Sequence, residues 1–379
     1  MTKSINSQYA LSMKIKEAID EKLVDHSEPT NHPNEKHNRK LLGENYIFDS
    51  PEDTKYASEP NKIFSGVMFA FTQQWVGIRQ ACGAFPVSKL AIDAYHNWTA
   101  QDIMDIVAEI ESRNISTLVF HGMAPSTSRL IRGIKINCPS LKILSVWHGT
   151  MAGWAYEAEL ALFRELVVLL DRGTVDKVGF LRTGMNIVHK KSFKKCLFNI
   201  PPKSDHIQRA LPAFNDKPIV CLFGSWNNQW KNMYTNVIGA ESSDNVAKII
   251  CYQNFSRGLL SKTVHSPHGG LENHLTRTAL VDLCLSVSIN DCQPMTELEG
   301  LSVGTPSLRP NLDHSDKPQH EYERVFTVDR YLNPAEIGKH IDSLCKIDSG
   351  MIADLISSYN IHIKSISYDR YEEFLCAIL

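Results

Sequence analysis

The sequence has no apolar run long enough to span a bilayer, and its first residues carry no apolar signal core. It has no Cys-x-x-Cys either. Its nine cysteines, Cys82, Cys138, Cys196 and Cys221 among them, are scattered without close pairs. Neither a zinc ribbon nor a dithiol redox motif is therefore expected. Free thiols with apolar neighbours fit a reducing compartment, and the sequons at Asn97, Asn114 and Asn254 carry little weight there. The expected location is the cytoplasm, with peripheral contact at the inner face of a membrane left open. An excess of charge is also missing. Forty Lys and Arg face 42 Asp and Glu, a net charge of −2. No global field then draws the chain to nucleic acid, so no nucleic-acid partner is expected.

What is present is ordinary globular composition, 43% hydrophobic over 379 residues, a length that suggests two domains. Residues 1–60 read as an extension. Leu11, Ile15, Ile19 and Leu23 recur every four residues, which predicts an amphipathic helix over 8–24. HSEPTNHPNEKHNRK, polar and broken by proline, then reads as a link. That helix could meet a membrane surface or a partner, but packing on its own domain is the commoner use of such a face. From residue 61 the pattern is strand–helix alternation to about 212. KIFSGVMFAF, ISTLVFHG, LKILSVWHG, VDKVGFL and CLFNI read as strands. A helix opens after Asn97-Trp-Thr, another carries Leu160, Phe163, Val167 and Leu170, and a third is expected near 184–193. The alternation restarts at residue 213 and runs to 359, with PIVCLFG, AKIICYQ, KTVHS, VDLCLSVS and RVFTV as strands. A terminal helical stretch over 360–379 is expected to return to the first domain. Such alternation makes parallel sheets covered by helices, with ligands outside the carboxyl ends of the strands. The expected fold is therefore α/β, two Rossmann-like domains facing a cleft.

The stretch INDCQPMTELEGLSVGTP, residues 289–306, concentrates the chemistry. It follows a buried strand. Pro294 stops pairing and can start a helix, Gly304 can end one in a left-handed turn, and Pro306 forbids its continuation. A loop, a short helix and a sharp turn result. Free amides at the helix start, at Met295, Thr296 and Glu297, suit a phosphate. Asp291 in the loop and Glu299 in the helix can accept from sugar and ribose hydroxyls. Glu297, two residues from Glu299, falls on another helix face and is expected at the dipole or in solvent.

This stretch resembles the acid–seven residues–acid motif of retaining glycosyltransferases with the GT-B fold, especially glycosyltransferase family 4 and its C-terminal group 1 domain. Ser288, Asp291, Glu299, Gly304, Thr305 and Pro306 fall in register. The first acid is Asp where the family has Glu, and Cys292 and Gln293 stand where it has glycines. A second resemblance lies in VCLFGSWNNQWKN, where Gly224, Ser225, Lys231 and Asn232 match a strand–glycine–lysine pattern at the donor diphosphate. The family's arginine is absent there, and Arg257 is a candidate substitute cation. WHGT supplies His148, as in members whose histidine approaches the donor sugar, and Gly77 takes the place of a glycine loop.

The resemblance implies a glycosyltransferase with Asp291, His148 and Lys231 as catalytic residues. Gly224, Ser225, Lys231, Asn232, Pro294, Met295, Thr296 and Glu299 would hold the donor. The donor would be a nucleotide-diphosphate sugar, the acceptor a carbohydrate or lipid-linked hydroxyl, and the product would retain configuration. No cofactor and no metal are implied. The chain contains no Asp-x-Asp, the motif with which single-domain glycosyltransferases hold one. Two alternatives stay open, an epimerase of nucleotide sugars on the same scaffold and a non-catalytic nucleotide-sugar-binding protein. Other features favour plain uses. HKKSFKK at 189–195 suits a helix C-terminus, although an acidic membrane would also attract it. His265, His268 and His274 lack metal-ligand spacing. Trp226 and Trp230 flank the glycine turn, where a base could stack but core packing is the default. Oligomeric state is not set by the sequence.

Overall fold

The computed structural model describes residues 45–225, 229–254, 260–312, 314 and 316–376. The helix expected over 8–24 lies outside the described residues, as do Trp226 and Arg257.

The first sheet contains β1 (Tyr46–Phe48), β2 (Val67–Thr72), β3 (Ser88–Ile92), β4 (Thr117–His121), β5 (Lys142–Trp147), β6 (Lys177–Phe180) and β7 (Ser192–Cys196). Their order is β1-β3-β2-β4-β5-β6-β7. Only β1 runs antiparallel, against β3, so part of the stretch placed in the N-terminal extension belongs to this sheet. Every residue of β2 and β4 is buried, as strands covered on both faces require. The covering helices are α1 (Pro51–Thr54), α2 (Val76–Gly83), α3 (Ala100–Ser112), α4 (Thr127–Asn137) and α5 (Glu157–Asp171). Helix α3 starts where the sequence says it should, since Thr99 and Asp102 close a reciprocal capping box.

The second sheet contains β8 (Ile219–Phe223), β9 (Val246–Cys251), β10 (Thr263–His265), β11 (Leu283–Leu285), β12 (Ser307–Pro310) and β13 (Thr327–Val328), in the order β10-β9-β8-β11-β12-β13. All its pairings are parallel. Helices α6 (Met233–Glu241), α7 (Leu271–Leu280), α8 (Met295–Val303), α9 (Glu321–Phe326) and α10 (Pro334–Leu344) pack around it, followed by α11 (Ser349–Cys376). Helix α11 serves both cores. Ile352, Ile356, Tyr359 and Ile363 join the apolar cluster of the second sheet. Tyr371, Phe374 and Leu375 join that of the first.

In each sheet the strand order reverses once, between β2 and β4 and between β8 and β11. The crevice outside the strand ends at such a reversal is where open α/β sheets bind ligands.

Three expected elements differ. Of CLFNI, expected as a strand, only Cys196 at the end of β7 is one. The run 189–195 is not a helix end. A 3₁₀ turn at Met185–Ile187 follows Gly184, whose φ is +83°, and the lysines then lie on the edge strand β7. There Ser192, Phe193 and Cys196 are buried while Lys194 and Lys195 are exposed, a pattern that departs from strict alternation because the register against β6 shifts between Val178 and Phe180. RVFTV is mostly helix: α9 takes Arg324 to Phe326, leaving only Thr327 and Val328 as strand. The His320–Glu323 capping box drives this, by fixing the helix start just upstream.

Candidate active site

The two reversals face one cleft of about 460 Å³. Gln74, Trp75 and Gly77 enter it after β2, His148 after β5 and Leu181 after β6. Gly224, Ser225 and Lys231 enter after β8, and Asp291, Cys292, Gln293, Met295, Thr296 and Glu299 after β11.

Helix α8 begins at Met295 with Pro294 as its N-cap and no capping side chain. The Glu297 amide turns back to the Pro294 carbonyl at 3.1 Å, so the amides that open the helix toward the cleft are those of Met295 and Thr296. Gly304 closes the helix at φ +85°, a conformation that glycine adopts without steric cost. Beside the helix start, Lys231 Nζ lies 2.6 Å from Asp291 Oδ2. Burial pulls the Lys231 ammonium down, but the Asp291 carboxylate more than restores it, and its pKa stands above the usual lysine value. Ser225 Oγ is 3.5 Å from Thr296 Oγ1, across the same spot.

Glu299 is buried, and its Oε2 meets His274 Nε2 at 2.9 Å. His274 Nδ1 in turn meets the Tyr252 hydroxyl at 2.6 Å. The other carboxylate oxygen, Glu299 Oε1, has no partner among the described residues, which is costly for a buried acceptor unless a ligand meets it. His268 stacks over His274 at 6.0 Å and accepts the Gly270 amide on Nδ1. Burial and the neighbouring His274 push its pKa down to about 4, so the ring is neutral near pH 7. Gly224 is a glycine for a reason of space: a Cβ there would sit 2.9 Å from His274 Cε1.

On the opposite wall one histidine, His148, lines the cleft and is backed by a second. His148 Nε2 lies 2.9 Å from His121 Nδ1. Burial lowers the His148 pKa to about 3 and holds His121 well below its ordinary value, so the pair is uncharged.

The loop after β11 also ties the two walls together. Asn290 Oδ1 accepts from Thr150 Oγ1 at 2.6 Å, the Asp291 carbonyl accepts from Arg182 at 3.0 Å, and Cys292 Sγ donates to the His148 carbonyl at 3.0 Å. Gln293 Oε1 accepts the Asn199 amide at 2.7 Å. Nearer the rim, Gln229 Nε2 and Trp230 Nε1 both donate to the Tyr156 hydroxyl, at 2.8 and 3.0 Å. Among the described residues no three His, Cys, Asp or Glu side chains converge as a metal-binding group, and no helix is long and apolar enough to cross a membrane.

Neither the models of known protein families nor the curated proteins give a match to this sequence. Solved structures do. An α,α-trehalose-phosphate synthase (UDP-forming) from Burkholderia xenovorans, in complex with glucose-6-phosphate, superposes with a TM-score of 0.50 at 8% identity, covering 82% of this chain and 100% of that one. A trehalose-6-phosphate synthase gives 0.51 at 9%, over 77% and 87% of the two chains. TarM from S. aureus, bound to UDP and α-GlcNAc-glycerol, gives 0.50 at 12%, over 73% and 59%. The fold is GT-B.

Within this GT-B cleft the sequence-derived residues Asp291, Lys231, His148, Gly224, Ser225, Met295, Thr296 and Glu299 come together. Pro294 stands behind them as the cap of α8. Asn232 stands apart. It is buried in a left-handed conformation, and its amide donates to the carbonyls of Tyr331 and Val287 at 2.7 and 3.2 Å. It shapes the turn after Lys231 rather than lining the cleft. Glu297 is also a correction. It does stand in the first turn of α8, at the dipole, but it is out of solvent, buried 3.0 Å from Arg309.

Cys292 and Gln293 have roles the motif did not suggest, since their side chains grip the first domain. His274 was the residue hardest to see. Its signal was its place on α7 beside Leu275 and Thr278, the buried face of that helix.

Proposed function

We propose that this chain moves a sugar from a nucleoside-diphosphate sugar to an acceptor hydroxyl, with retention of configuration and without a metal. One observation carries the proposal. An uncapped helix start, a lysine and two carboxylates meet in the cleft between two facing rows of strand ends. The GT-B fold of the trehalose-phosphate synthases and TarM supports it.

The chemistry follows from the groups present. A diphosphate entering the cleft would take the amides of Met295 and Thr296 and exchange places with Asp291 on Lys231. As the bond from the anomeric carbon to the β-phosphate oxygen breaks, negative charge grows on that phosphate. Lys231 and the helix amides stabilise it from fixed positions in a partly dry site. Asp291, released from Lys231, accepts from the sugar hydroxyls. Glu299, held by His274, offers Oε1 to the ribose. His148 is neutral and sits on the sugar side. The acceptor oxygen attacks from the face the nucleotide leaves and passes its proton to the departing phosphate. The acceptor, a saccharide or lipid-linked hydroxyl, would lie along Gln74 and Trp75.

A panel of nucleotide sugars tested by thermal shift checks the donor. A ligand at a hundredfold its Kd stabilises by about 2.7 kcal/mol, a visible rise in Tm. Glu299→Ala is expected to weaken that binding, and Asp291→Ala to lower turnover while leaving binding in place. Unchanged kinetics in both variants would remove the site assignment. Tight binding with no transfer or hydrolysis would leave a nucleotide-sugar sensor instead of an enzyme.

A further inference from the structure

A second cavity, also about 460 Å³, opens at the carboxyl ends of β12 and β13 and shares no lining residue with the cleft. Arg309, His314, Lys317, Gln319 and Glu323 are in its wall. Three of these are charged and buried: the side chains of Arg309, Lys317 and Glu323 are 3%, 2% and 8% exposed. Such density of charge away from water is expensive and needs full pairing.

The pairing is incomplete. Among the described residues Arg309 makes its polar contacts through one nitrogen, Nη1, with Glu323 at 3.2 Å, Tyr359 at 2.9 Å and Glu297 at 3.0 Å. Among the described residues its Nε has no partner, and neither has His314 Nε2. Lys317 Nζ lies 2.6 Å from the other oxygen of the same Glu323. Two fixed cations therefore share one carboxylate. The second acid, Glu297, is pushed up by burial to about 7 against the pull of Arg309, so near neutral pH it is only partly ionised. Among the described residues the wall carries Arg309, Lys317 and Arg324 against Glu323 and Asp329, and a buried Arg309 donor left without an acceptor on this positive side calls for an acceptor-rich anion.

Glu297 links this cavity to the cleft. It stands on α8, the helix whose first turn and Glu299 face the cleft. All residues from Thr296 to Val303 are buried, so α8 has little room to adjust without moving its tip.

We propose that the cavity at the ends of β12 and β13 binds a small phosphate-bearing anion on Arg309 and Lys317, and that its occupancy reaches α8 through Glu297. The anion draws Arg309 away from Glu297, and the helix tip responds. The binding half stands alone. The coupling half rests on α8 serving the donor.

The test is calorimetric titration of the full chain with inorganic phosphate and, separately, with a hexose phosphate. One equivalent of saturable binding is expected, and it should persist in Lys231→Ala, which alters only the cleft. Gln319→Glu adds a carboxylate at an exposed part of the cavity wall and spares the buried network. It should raise Kd by about tenfold or more, ~1.4 kcal/mol. Lys317→Met should do the same, and if that variant does not fold, Gln319→Glu decides. Preference for the hexose phosphate marks an ester as the ligand, and equal affinity marks free phosphate; both support the site. With the cavity filled, nucleotide-sugar affinity should fall about fivefold, the low end of ordinary site-to-site coupling. A chain that binds no nucleotide sugar but still takes up the anion keeps the site and loses only the coupling. No saturable binding, or binding that Lys231→Ala removes and Gln319→Glu leaves intact, overturns the proposal.

Discussion

The two walls of the cleft are assembled differently. On the second-sheet wall the polar groups come from three compact segments, 224–231, 268–274 and 291–299. On the first-sheet wall single residues arrive from separate strand ends: Gln74 and Trp75, then His148, Leu181 and Asn199. A wall made of a few loop–helix segments fixes much of its geometry through local backbone rules. A wall gathered from distant strands depends on the whole sheet being in place. The first can carry charge that must be held to a fraction of an ångström; the second is free to vary with whatever it receives.

The sharpest way to break this comparison is to remove the charge. Lys231→Ala is expected to weaken nucleotide-sugar binding by about 100-fold, ~2.7 kcal/mol, near the low end for truncating one partner of a hydrogen-bonded charge pair, since this pair is only partly buried. Trp75→Ala, on the opposite wall, should leave that affinity within about threefold while lowering activity toward the acceptor. Isothermal titration reads both. Equal losses would mean that the walls do not divide the work.

A smaller effect tests whether the second wall is rigid by packing. Gly224→Ala places a Cβ against His274, at 2.9 Å in the unrelaxed geometry. Overpacking of this kind costs about 1–3 kcal/mol, measurable by urea denaturation. Because His274 holds Glu299, nucleotide binding should weaken along with stability. A variant with normal affinity would show that the Glu299–His274–Tyr252 chain tolerates displacement.

The smallest effect concerns a property the walls share, since each carries a neutral histidine. Folded His148 takes its proton only near pH 3 and His268 only near pH 4, whereas both would titrate at 6.5 when unfolded. Between those values the unfolded chain binds more protons, so stability falls as the pH drops below 6.5. Each residue can contribute up to about 1.4 kcal/mol per pH unit. Tm followed from pH 7.5 to 5 should decline, and His148→Asn and His268→Asn should each flatten the decline. A slope unchanged in one variant would place that histidine's protonation outside folding.

The same contrast explains what could be read in the amino acids. Asp291, Glu299 and Lys231 were legible because proline, glycine and helix-start chemistry act over a few residues, and the spacing survives folding. Strand–helix alternation was legible for the same reason, and it fixed the α/β class. The His274–Glu299 pair was not, since its members lie 25 positions apart on different helices. The helix-face argument for Glu297 was sound as far as it went. It places the residue away from Glu299, but it cannot show that α8 is enclosed on every side and that Arg309 waits there. At 189–195 the lysines masked a strand, because a run of like charge outweighs a short pleat until a neighbouring strand is known. Asn232 matched a pattern of residue types, yet left-handed backbone and two carbonyl acceptors give it a structural task.

Helix α11 carries a consequence for anyone who would cut or exchange the halves of this molecule. Its first turns complete one interior and its last turns complete the other. Neither lobe is then a module that can be lifted out at the 201–217 connection alone. A graft that left α11 behind would strip Ile356 and Tyr359 from one side or Tyr371 and Phe374 from the other, and expose the greasy face they had sealed.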